Sequence, residues 1–342
     1  MNKLIKSKIL DSFNNKFRKK NILITGGTGM VGIQLLLFLS ELDCFVHSTS
    51  LDNFSPNLKN VKHTKIDLRE PKNCNEVTKD MDLVINVTGV AGSPKMALEN
   101  PASFMSPNIL LPLNILNASV KNKVKEYLFT SSYGVYKPSN LMKEDDVWKT
   151  SPSNNDLYAG WAKRISELYL AAVKIENNNF KKLYTIRPSN IYGPYANFDF
   201  KNSMVIQSLI NRIFLQNENP LKVWGNGSAI RDFIYSKDVA LSILQLINTG
   251  YDKKPVNIGS GTGCTIKTLT ETIVKISKKK ISLHWDTSMP SGDKVRILDV
   301  KRSKKLGIQN FYTLSEGLEE TIEWFKNNKN LYKKRYNSFN EK

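Results

Sequence analysis

Residues 21–32 constrain the fold of this chain more than any other stretch. An apolar run at residues 22–24 predicts a buried parallel strand, and the apolar run at residues 33–39 has the period of a helix. Between these runs lie three glycines at three-residue spacing: Gly26, Gly29 and Gly32. The chain is therefore expected to pass from strand to helix through a tight glycine-rich turn.

Such a turn is typical of sites that bind a pyrophosphate. Gly26 would make the turn, Gly29 would let the backbone approach the ligand, and Gly32 would let helix and strand pack closely. The free N–H groups at the start of the helix and its dipole favour negative charge. The turn therefore predicts a dinucleotide site formed by Gly26, Thr28, Gly29, Met30, Val31 and Gly32. A glycine-rich loop without a ligand is the alternative.

Strand and helix patterns alternate along the chain. Strands are predicted at residues 22–25, 45–48, 62–66, 83–87, 126–130, 183–186, 221–224, 256–258 and 281–285. Helices are predicted at residues 101–122, 157–177, 205–216, 237–248, 266–277 and 314–327. This rhythm indicates an α/β protein built on a doubly wound parallel sheet.

The chain is basic, with a formal net charge of +19. Such a charge would suit nucleic-acid binding, but no basic stripe interleaved with aromatic residues marks a nucleic-acid groove. Much of the excess charge lies at the two ends of the chain. We therefore expect anionic small ligands and no nucleic-acid partner.

Cysteine and histidine are few and scattered, with three of each. Their spacing forms neither a disulfide framework nor a zinc site, so no metal site is predicted. No apolar run reaches the length of a membrane span, and the N-terminus shows no signal-peptide core. The expectation is a cytoplasmic protein without a membrane span.

Residues 1–20 predict a basic amphipathic helix. Its apolar positions form one face: Leu4, Ile5, Ile9, Leu10, Phe13 and Phe17. This face could lie on an anionic membrane surface. Alternatively, the helix could pack against the body of the protein or against a second subunit.

Six motifs in order resemble the extended short-chain dehydrogenase/reductase family, which comprises nucleotide-sugar epimerases, dehydratases and reductases. The resemblance covers residues 21–326. The motifs are Thr25-Gly-Gly-Thr-Gly-Met-Val-Gly32, Phe129-Thr-Ser-Ser-Tyr-Gly-Val-Tyr136, Ala159-Gly-Trp-Ala-Lys-Arg164, Arg187-Pro-Ser-Asn-Ile-Tyr-Gly-Pro194, Arg231-Asp-Phe-Ile-Tyr235 and Asn257-Ile-Gly-Ser-Gly261. Residues 223–230 and 290–300 most resemble the GDP-fucose synthase branch.

The resemblance implies a Rossmann-type sheet with a smaller, interwoven C-terminal α/β part that binds substrate. The expected division is an N-terminal extension (1–20), a dinucleotide-binding domain (21–186, completed by 232–262), a nucleotide-sugar-binding part (187–330) and a basic tail (331–342). A homodimer formed through the helices at residues 100–122 and 157–177 is also implied.

Hydride removal from a sugar carbon must be matched by loss of a proton from its hydroxyl group, and that requires a base with a pKa near the operating pH. A phenol beside an ammonium group can supply such a base, since the positive charge favours phenolate. The resemblance assigns the hydroxyl that holds the sugar oxygen to Ser132. It assigns the lysine to Lys163, which would also hold the nicotinamide ribose.

This chain departs from the family pattern at the tyrosine. In the family a tyrosine stands four residues before the lysine, and this chain has Ala159 at that position. Tyr158 lies one residue earlier, which is a rotation of about 100° on a helix. Either an irregular helix start lets Tyr158 act as the base, or a bound water, Ser132 or Tyr133 replaces it.

A second departure narrows the reaction. The GDP-fucose synthases use a cysteine and a histidine as proton carriers, and Gly134 and Tyr195 stand at those positions. GDP-fucose synthesis is therefore not expected. Oxidation, 4-epimerisation, dehydration or keto reduction at C4 remain, and Tyr133-Gly134 in place of an acidic pair counts against dehydration.

The adenosine end of the dinucleotide is expected at the end of the second strand. Ser50 lies there, and Asp52 could bind the ribose 2′-hydroxyl. We expect no arginine nearby that could bind a 2′-phosphate. NAD is therefore favoured, and NADP is not excluded. Asp67-Leu68 resembles the pair that contacts adenine in the family.

The substrate site is predicted from residues that could surround a nucleoside diphosphate. The resemblance assigns it to Asn108, Ser131, Tyr133, Asn190, Arg231 and Lys294. The expected function is NAD(P)-dependent oxidoreduction at C4 of a nucleotide-diphospho-sugar, with a GDP-sugar favoured, for surface polysaccharide biosynthesis. A catalytically weak dinucleotide sensor or scaffold on the same fold is the alternative.

Overall fold

A seven-stranded parallel sheet organises the structure, a computed structural model that describes residues 3–54, 56–90, 92, 99–199, 202–289, 292–331 and 336. Its strands are β1 (Asn21–Thr25), β2 (Phe45–Ser50), β3 (Val61–Lys65), β4 (Leu83–Asn86), β5 (Glu126–Thr130), β6 (Lys182–Pro188) and β11 (Val256–Ile258). Their order is β11-β6-β5-β4-β1-β2-β3, and every neighbouring pair is parallel. The predicted doubly wound sheet is confirmed.

Helices cover both faces of this sheet. They are α1 (Lys3–Phe17), α2 (Gly32–Leu39), α3 (Pro71–Val77), α4 (Pro101–Lys121), α5 (Leu157–Glu176) and α7 (Ser236–Thr249). One apolar core joins α1, α2 and α7 to one face of the sheet. A second core joins α3, α4 and α5 to the other face. Because both faces are covered, the central strands are apolar without alternation.

The remaining elements form a smaller part around a third apolar core. Its strands are β7 (Asn190–Tyr192), β8 (Leu221–Trp224), β9 (Ile230–Arg231), β10 (Phe233–Tyr235), β12 (Cys264–Thr265), β13 (Leu283–Asp286) and β14 (Val295–Arg296), which pair in three small sheets. Its helices are α6 (Val205–Phe214), α8 (Ile266–Ser277) and α10 (Leu314–Asn327), whereas α9 (Lys301–Lys305) packs against β11 of the large sheet. Short 3₁₀ helices lie at Tyr133–Val135, Glu144–Lys149 and Asn154–Asp156.

Helix α1 packs against the body of the protein. Phe13 and Phe17 are buried in the core and pack edge-to-face, with ring centroids 6.0 Å apart. Lys16 and Lys20 each lie 2.8 Å from the Glu126 carboxylate at the start of β5. Burial alone would raise the pKa of Glu126, but the hydrogen bonds from the two lysines outweigh it and leave that pKa below its ordinary value. The membrane-surface hypothesis is therefore wrong for the described part of this apolar face.

None of the helices that the structure describes is long and apolar enough to cross a bilayer. Within the same residues, no group of three or more histidine, cysteine, aspartate and glutamate side chains is placed to bind a metal ion.

Replacement of Phe13 by alanine is expected to lower the free energy of unfolding by about 3 kcal/mol, because it removes a buried aromatic ring from the core. Urea denaturation measures this change. Asn15→Ala on the exposed side of the same helix is the control and should be close to neutral. An equally small effect of Phe13→Ala would show that α1 does not contribute to the folded core.

Candidate active site

One cleft of about 860 Å³ opens at the carboxyl ends of the sheet strands. The neighbours β1 and β4 leave the sheet in opposite directions there, which is where such sheets bind ligands. All the site residues predicted from the sequence line this cleft except Tyr158, Arg231 and Lys294. The cleft therefore brings together most of a site whose members are scattered along the chain.

The glycine turn forms the floor of the cleft and leaves no room for side chains. Gly26 has a φ of 74°, and a Cβ atom on Gly29 would lie 3.0 Å from the Gly26 carbonyl oxygen. A Cβ atom on Gly32 would lie 2.2 Å from that same oxygen. Val31, the residue before α2, gives the helix no side-chain cap. An open helix start above bare backbone fits the pyrophosphate of a dinucleotide.

Asp52 lies at the end of the cleft predicted for the adenosine. It is buried, and its carboxylate accepts hydrogen bonds from the Thr28 hydroxyl at 2.6 Å and from the Tyr336 amide at 2.7 Å. Ser50, two residues earlier, lies 3.3 Å from His63 Nε2. A carboxylate in this place suits a ribose hydroxyl and repels a phosphate.

Arg69 lines the same cleft, contrary to the expectation that no arginine lies nearby. It lies 2.6 Å from the Asp67 carboxylate, and this hydrogen bond, against the opposing effect of burial, holds the pKa of Asp67 below its ordinary value. The sequence predicted Asp67 and Leu68 in the site. It did not predict the ion pair between Asp67 and Arg69, two residues further along the chain.

Helix α5 turns Ala159 and Lys163 towards the cleft. These residues are one helical turn apart, and both line it. Tyr158 does not line the cleft; its side chain is 41% exposed. The helix is regular from Leu157, so no irregular start rotates Tyr158 inwards. Tyr158 therefore lies outside the cleft in this structure, and its role as the base stays a prediction.

Lys163 is buried and lines the cleft. Its Nζ donates a hydrogen bond to the Thr130 carbonyl at 3.0 Å and lies 5.0 Å from the centroid of the Phe129 ring. Burial lowers the pKa of Lys163 to about 8, although the Glu167 carboxylate opposes this shift. Lys163 can therefore be charged or neutral close to neutral pH.

Two neighbouring serines at the end of β5 have different partners. Ser132 Oγ accepts a hydrogen bond from the Gly134 amide at 3.1 Å, which leaves its own proton to donate. Ser131 instead donates to the buried Glu167 carboxylate at 2.5 Å. Ser131 was expected to bind substrate, but its hydroxyl is already used in the protein.

Glu167 and Arg187 form a buried ion pair that sequence analysis did not identify. The shortest distance between them is 2.6 Å, and both side chains are almost fully buried. Two signals were present: Glu167 stands four residues after Lys163, and Arg187 begins one of the matched motifs. The pair ties α5 to β6 beneath the catalytic face.

A cluster of charges lies beside Tyr133 at the edge of the cleft. Arg296 is buried, forms ion pairs with Asp156 and Asp293, and lies 5.4 Å from the Tyr133 ring. Burial and the Asp156 carboxylate raise the pKa of Tyr133 to about 12. Sequence reasoning missed Asp156 and Arg296, because residues 140 apart in the chain meet there.

Arg231 and Lys294 do not line the cleft. Arg231 lies beside the Arg296 cluster; burial and the Arg296 charge lower its pKa. Among the residues that the structure describes, it forms no salt bridge. Lys294 is exposed, and only its backbone joins the small sheet, as acceptor from the Ile230 amide at 3.0 Å. Their predicted contact with substrate phosphates stays a prediction.

Other polar groups in the cleft were not predicted. The side-chain oxygens of Ser189, Ser203 and Gln207 are buried, line the cleft and have no hydrogen-bond partner among the described residues. A bound polar ligand would satisfy them. Asn190, in contrast, donates its amide to the Asp232 carbonyl at 2.8 Å.

Replacement of Gly32 by alanine is expected to weaken NAD binding about tenfold or more, equivalent to about 1.4 kcal/mol, because the new Cβ atom would push the turn out of shape. Isothermal titration calorimetry measures this. Gly307→Ala is the control: Gly307 lies outside the cleft, and nothing lies within 4 Å of its Cβ. If both variants bind NAD like the wild type, the turn does not hold the dinucleotide.

Comparison with known proteins agrees with this geometry. GDP-L-colitose synthase of Yersinia pseudotuberculosis is 30% identical over 319 residues, which cover 90% of this chain and 99% of that protein. A putative UDP-glucose 4-epimerase of Methanocaldococcus jannaschii is 29% identical over 321 residues, which cover 90% and 99%.

A solved structure is similar over nearly the same length. It is the UDP-N-acetylglucosamine 4-epimerase of Methanobrevibacter ruminantium M1 in complex with UDP-N-acetylmuramic acid, with a TM-score of 0.79 and 27% identity, covering 91% of this chain and 99% of that chain. A model of the NAD dependent epimerase/dehydratase family matches residues 22–259. This chain therefore belongs to the NAD-dependent epimerase/dehydratase family of enzymes, within the extended short-chain dehydrogenases/reductases.

Proposed function

We propose that this enzyme transfers a hydride between its nicotinamide cofactor and C4 of a nucleotide-diphospho-sugar, as a 4-epimerase, dehydrogenase or 4-keto reductase. The observation that carries the proposal is that Ser132 and Lys163 line one cleft with the glycine turn. A hydroxyl donor and a buried amine beside a dinucleotide site are suited to oxidation of an alcohol.

When bound, the cofactor supplies the hydride chemistry. Ser132 donates a hydrogen bond to the reacting sugar oxygen, because the Gly134 amide, its partner among the described residues, uses its acceptor side. Lys163 holds the nicotinamide ribose through the N–H groups that Thr130 leaves free. Asp52 accepts a hydrogen bond from the adenosine ribose, which favours NAD over NADP.

The nucleotide end of the substrate would extend towards Ser203 and Gln207. Their buried side-chain oxygens, which have no hydrogen-bond partner among the described residues, would supply polar contacts. Arg231, which forms no salt bridge among the described residues, would supply a positive charge for the diphosphate. A GDP-sugar is favoured because relatives named as GDP-L-colitose and GDP-L-fucose synthases are 30% and 29% identical to this chain. Such an activated sugar fits a role in surface polysaccharide biosynthesis.

Epimerisation at carbons other than C4 is not part of this proposal. Gly134 and Tyr195 line the cleft where the GDP-fucose synthase branch carries its cysteine and histidine. The cysteine and histidine proton carriers of that branch are therefore both absent from this chain.

A catalytically weak sensor or scaffold is the second candidate, and Ala159 is the observation that favours it. An alanine at this point of the cleft removes the phenol that the family uses. The two candidates make different predictions: an enzyme reduces or oxidises its bound cofactor when substrate is added, whereas a sensor binds both ligands without changing either.

We propose a homodimer through the outer face of α5. Tyr158, Trp161, Ile165 and Leu168 form an exposed apolar stripe there at helical spacing. Leu110 on the adjacent α4 is exposed as well. A second copy of this chain would cover both helices, and Tyr158 would then serve the interface rather than the chemistry.

Purified protein mixed with NAD or NADP and a panel of GDP-, UDP-, dTDP- and CDP-sugars is expected to show a change in nicotinamide absorbance with one nucleotide sugar. Ser132→Ala should lower kcat about 100-fold, because a hydrogen bond to the reacting oxygen is lost, while NAD affinity is unchanged. Arg231→Gln should raise KM and leave kcat nearly unchanged. Binding of cofactor and sugar without any absorbance change or product would instead support the sensor.

Leu168→Glu is expected to convert a dimer to a monomer, since a carboxylate would be buried in the apolar interface. Light scattering after size-exclusion chromatography measures the mass. Phe45→Glu is the control, because Phe45 is equally exposed at 61% but lies at the start of β2. A wild-type protein that is monomeric at high concentration would contradict the proposed interface.

A further inference from the structure

Two residues with little or no side chain line the cleft together with Lys163. Ala159, one helical turn earlier, ends at its Cβ atom. Gly89 lacks a side chain, and a Cβ atom placed there would lie 3.4 Å from Lys163 Nζ and 3.2 Å from Asn108 Oδ1. The lysine nitrogen is thus close to bare backbone, and the residue one turn earlier contributes only a methyl group to the cleft.

We propose that Lys163 itself accepts the hydroxyl proton of the sugar through a bridging water molecule, for which the small side chain of Ala159 leaves room. This inference rests on the proposed function and assigns to the lysine the acid–base role for which the family uses a tyrosine. Lys163 would be a catalytic residue in its own right and not only a holder of the ribose.

The C–H bond at C4 breaks and its electron pair leaves as a hydride to the nicotinamide dinucleotide, which is the oxidant. The O–H bond breaks, the proton passes to the neutral amine of Lys163 through the water, and a C=O bond forms. The reverse step returns the proton from the ammonium group. Ser132 holds the oxygen throughout.

The other groups in the cleft are poorer bases. Tyr133 has a pKa raised to about 12, so it carries its proton at any physiological pH. Asp156 is tied to the buried Arg296 guanidinium. A base works best with a pKa near the operating pH, and the value of about 8 for Lys163 meets this condition.

The surroundings of Lys163 explain how it could lose its charge. On its own helix the charged group that acts on the pKa of Lys163 is Glu167, and Arg187 from β6 already pairs with that carboxylate at 2.6 Å. From β5 and α4, the described residues present only the Phe129 ring, the Thr130 carbonyl and the Asn108 amide. No unpaired anion holds the ammonium form, so burial decides the balance.

The first test measures the lysine without any substrate. The protein with NAD bound is labelled briefly with acetic anhydride at a series of pH values, and mass spectrometry follows acetylation of Lys163. Lys174, exposed on the same helix, gives the reference profile in the same sample. The expected midpoint for Lys163 is about pH 8, well below the ordinary lysine value of about 10.4. A midpoint at the ordinary value would overturn the proposal.

The second test measures the reaction. With an active nucleotide sugar, the single-turnover rate of cofactor reduction should rise with pH around the same midpoint, because the neutral amine is the acceptor. Lys163→Arg keeps the charge but cannot lose it, so the rate should fall about 100-fold and lose its pH dependence between about pH 6 and pH 9, at saturating NAD. Lys174→Arg is the matched control and should behave like the wild type.

A wild-type pH profile in Lys163→Arg would overturn the proposal, since another group would then carry the proton. Ala159→Tyr offers an independent check: a phenol at this position should shift the midpoint of the rate profile, and an unshifted midpoint would show that the proton does not pass this position. If no nucleotide sugar reacts at all, the proposed function fails, while the labelling profile still reports whether Lys163 titrates.

Discussion

The close approach of the glycine turn to its own backbone is the constraint on which the rest of the site depends. Gly32 packs against the carbonyl of Gly26 with no space for a Cβ atom, and this lets α2 begin directly above the end of β1. Strands β1 and β4 are neighbours, and the chain continues from β1 to one side of the sheet and from β4 to the other. The cleft opens between these two connections. The ends of β5 and β6 then bring hydroxyl and amide groups to the same edge.

A second constraint fixes the catalytic face of α5. The buried pair of Glu167 and Arg187 holds this helix against β6, and Ser131 adds a hydrogen bond to the same carboxylate. Removing one partner from such a pair would leave an uncompensated buried charge, which costs several kcal/mol, about 3 to 5. The position of Lys163 against the Thr130 carbonyl therefore follows from contacts one turn further along the same helix.

Helix α5 has two faces with different surroundings. Ala159 and Lys163 face the cleft, whereas Tyr158, Trp161 and Leu168 lie on the outer apolar stripe. A tyrosine one position earlier in the sequence thus points away from the cleft, because successive residues on a helix point about 100° apart. The cleft itself holds the hydroxyl of Ser132 and the nitrogen of Lys163.

Much of this could be predicted from the sequence, because it depends on local patterns. The glycine spacing, the alternation of strands and helices and the motif around Lys163 are short-range features, and they located the sheet, the cofactor turn and the Ser132–Lys163 pair. The tertiary structure alone decided which way Tyr158 points, that α1 packs on the core, and that Arg296 meets Asp156 and Asp293 beside Tyr133. Helical phase, burial and ion pairs between distant residues depend on how whole elements pack, and no local stretch of sequence encodes them by itself.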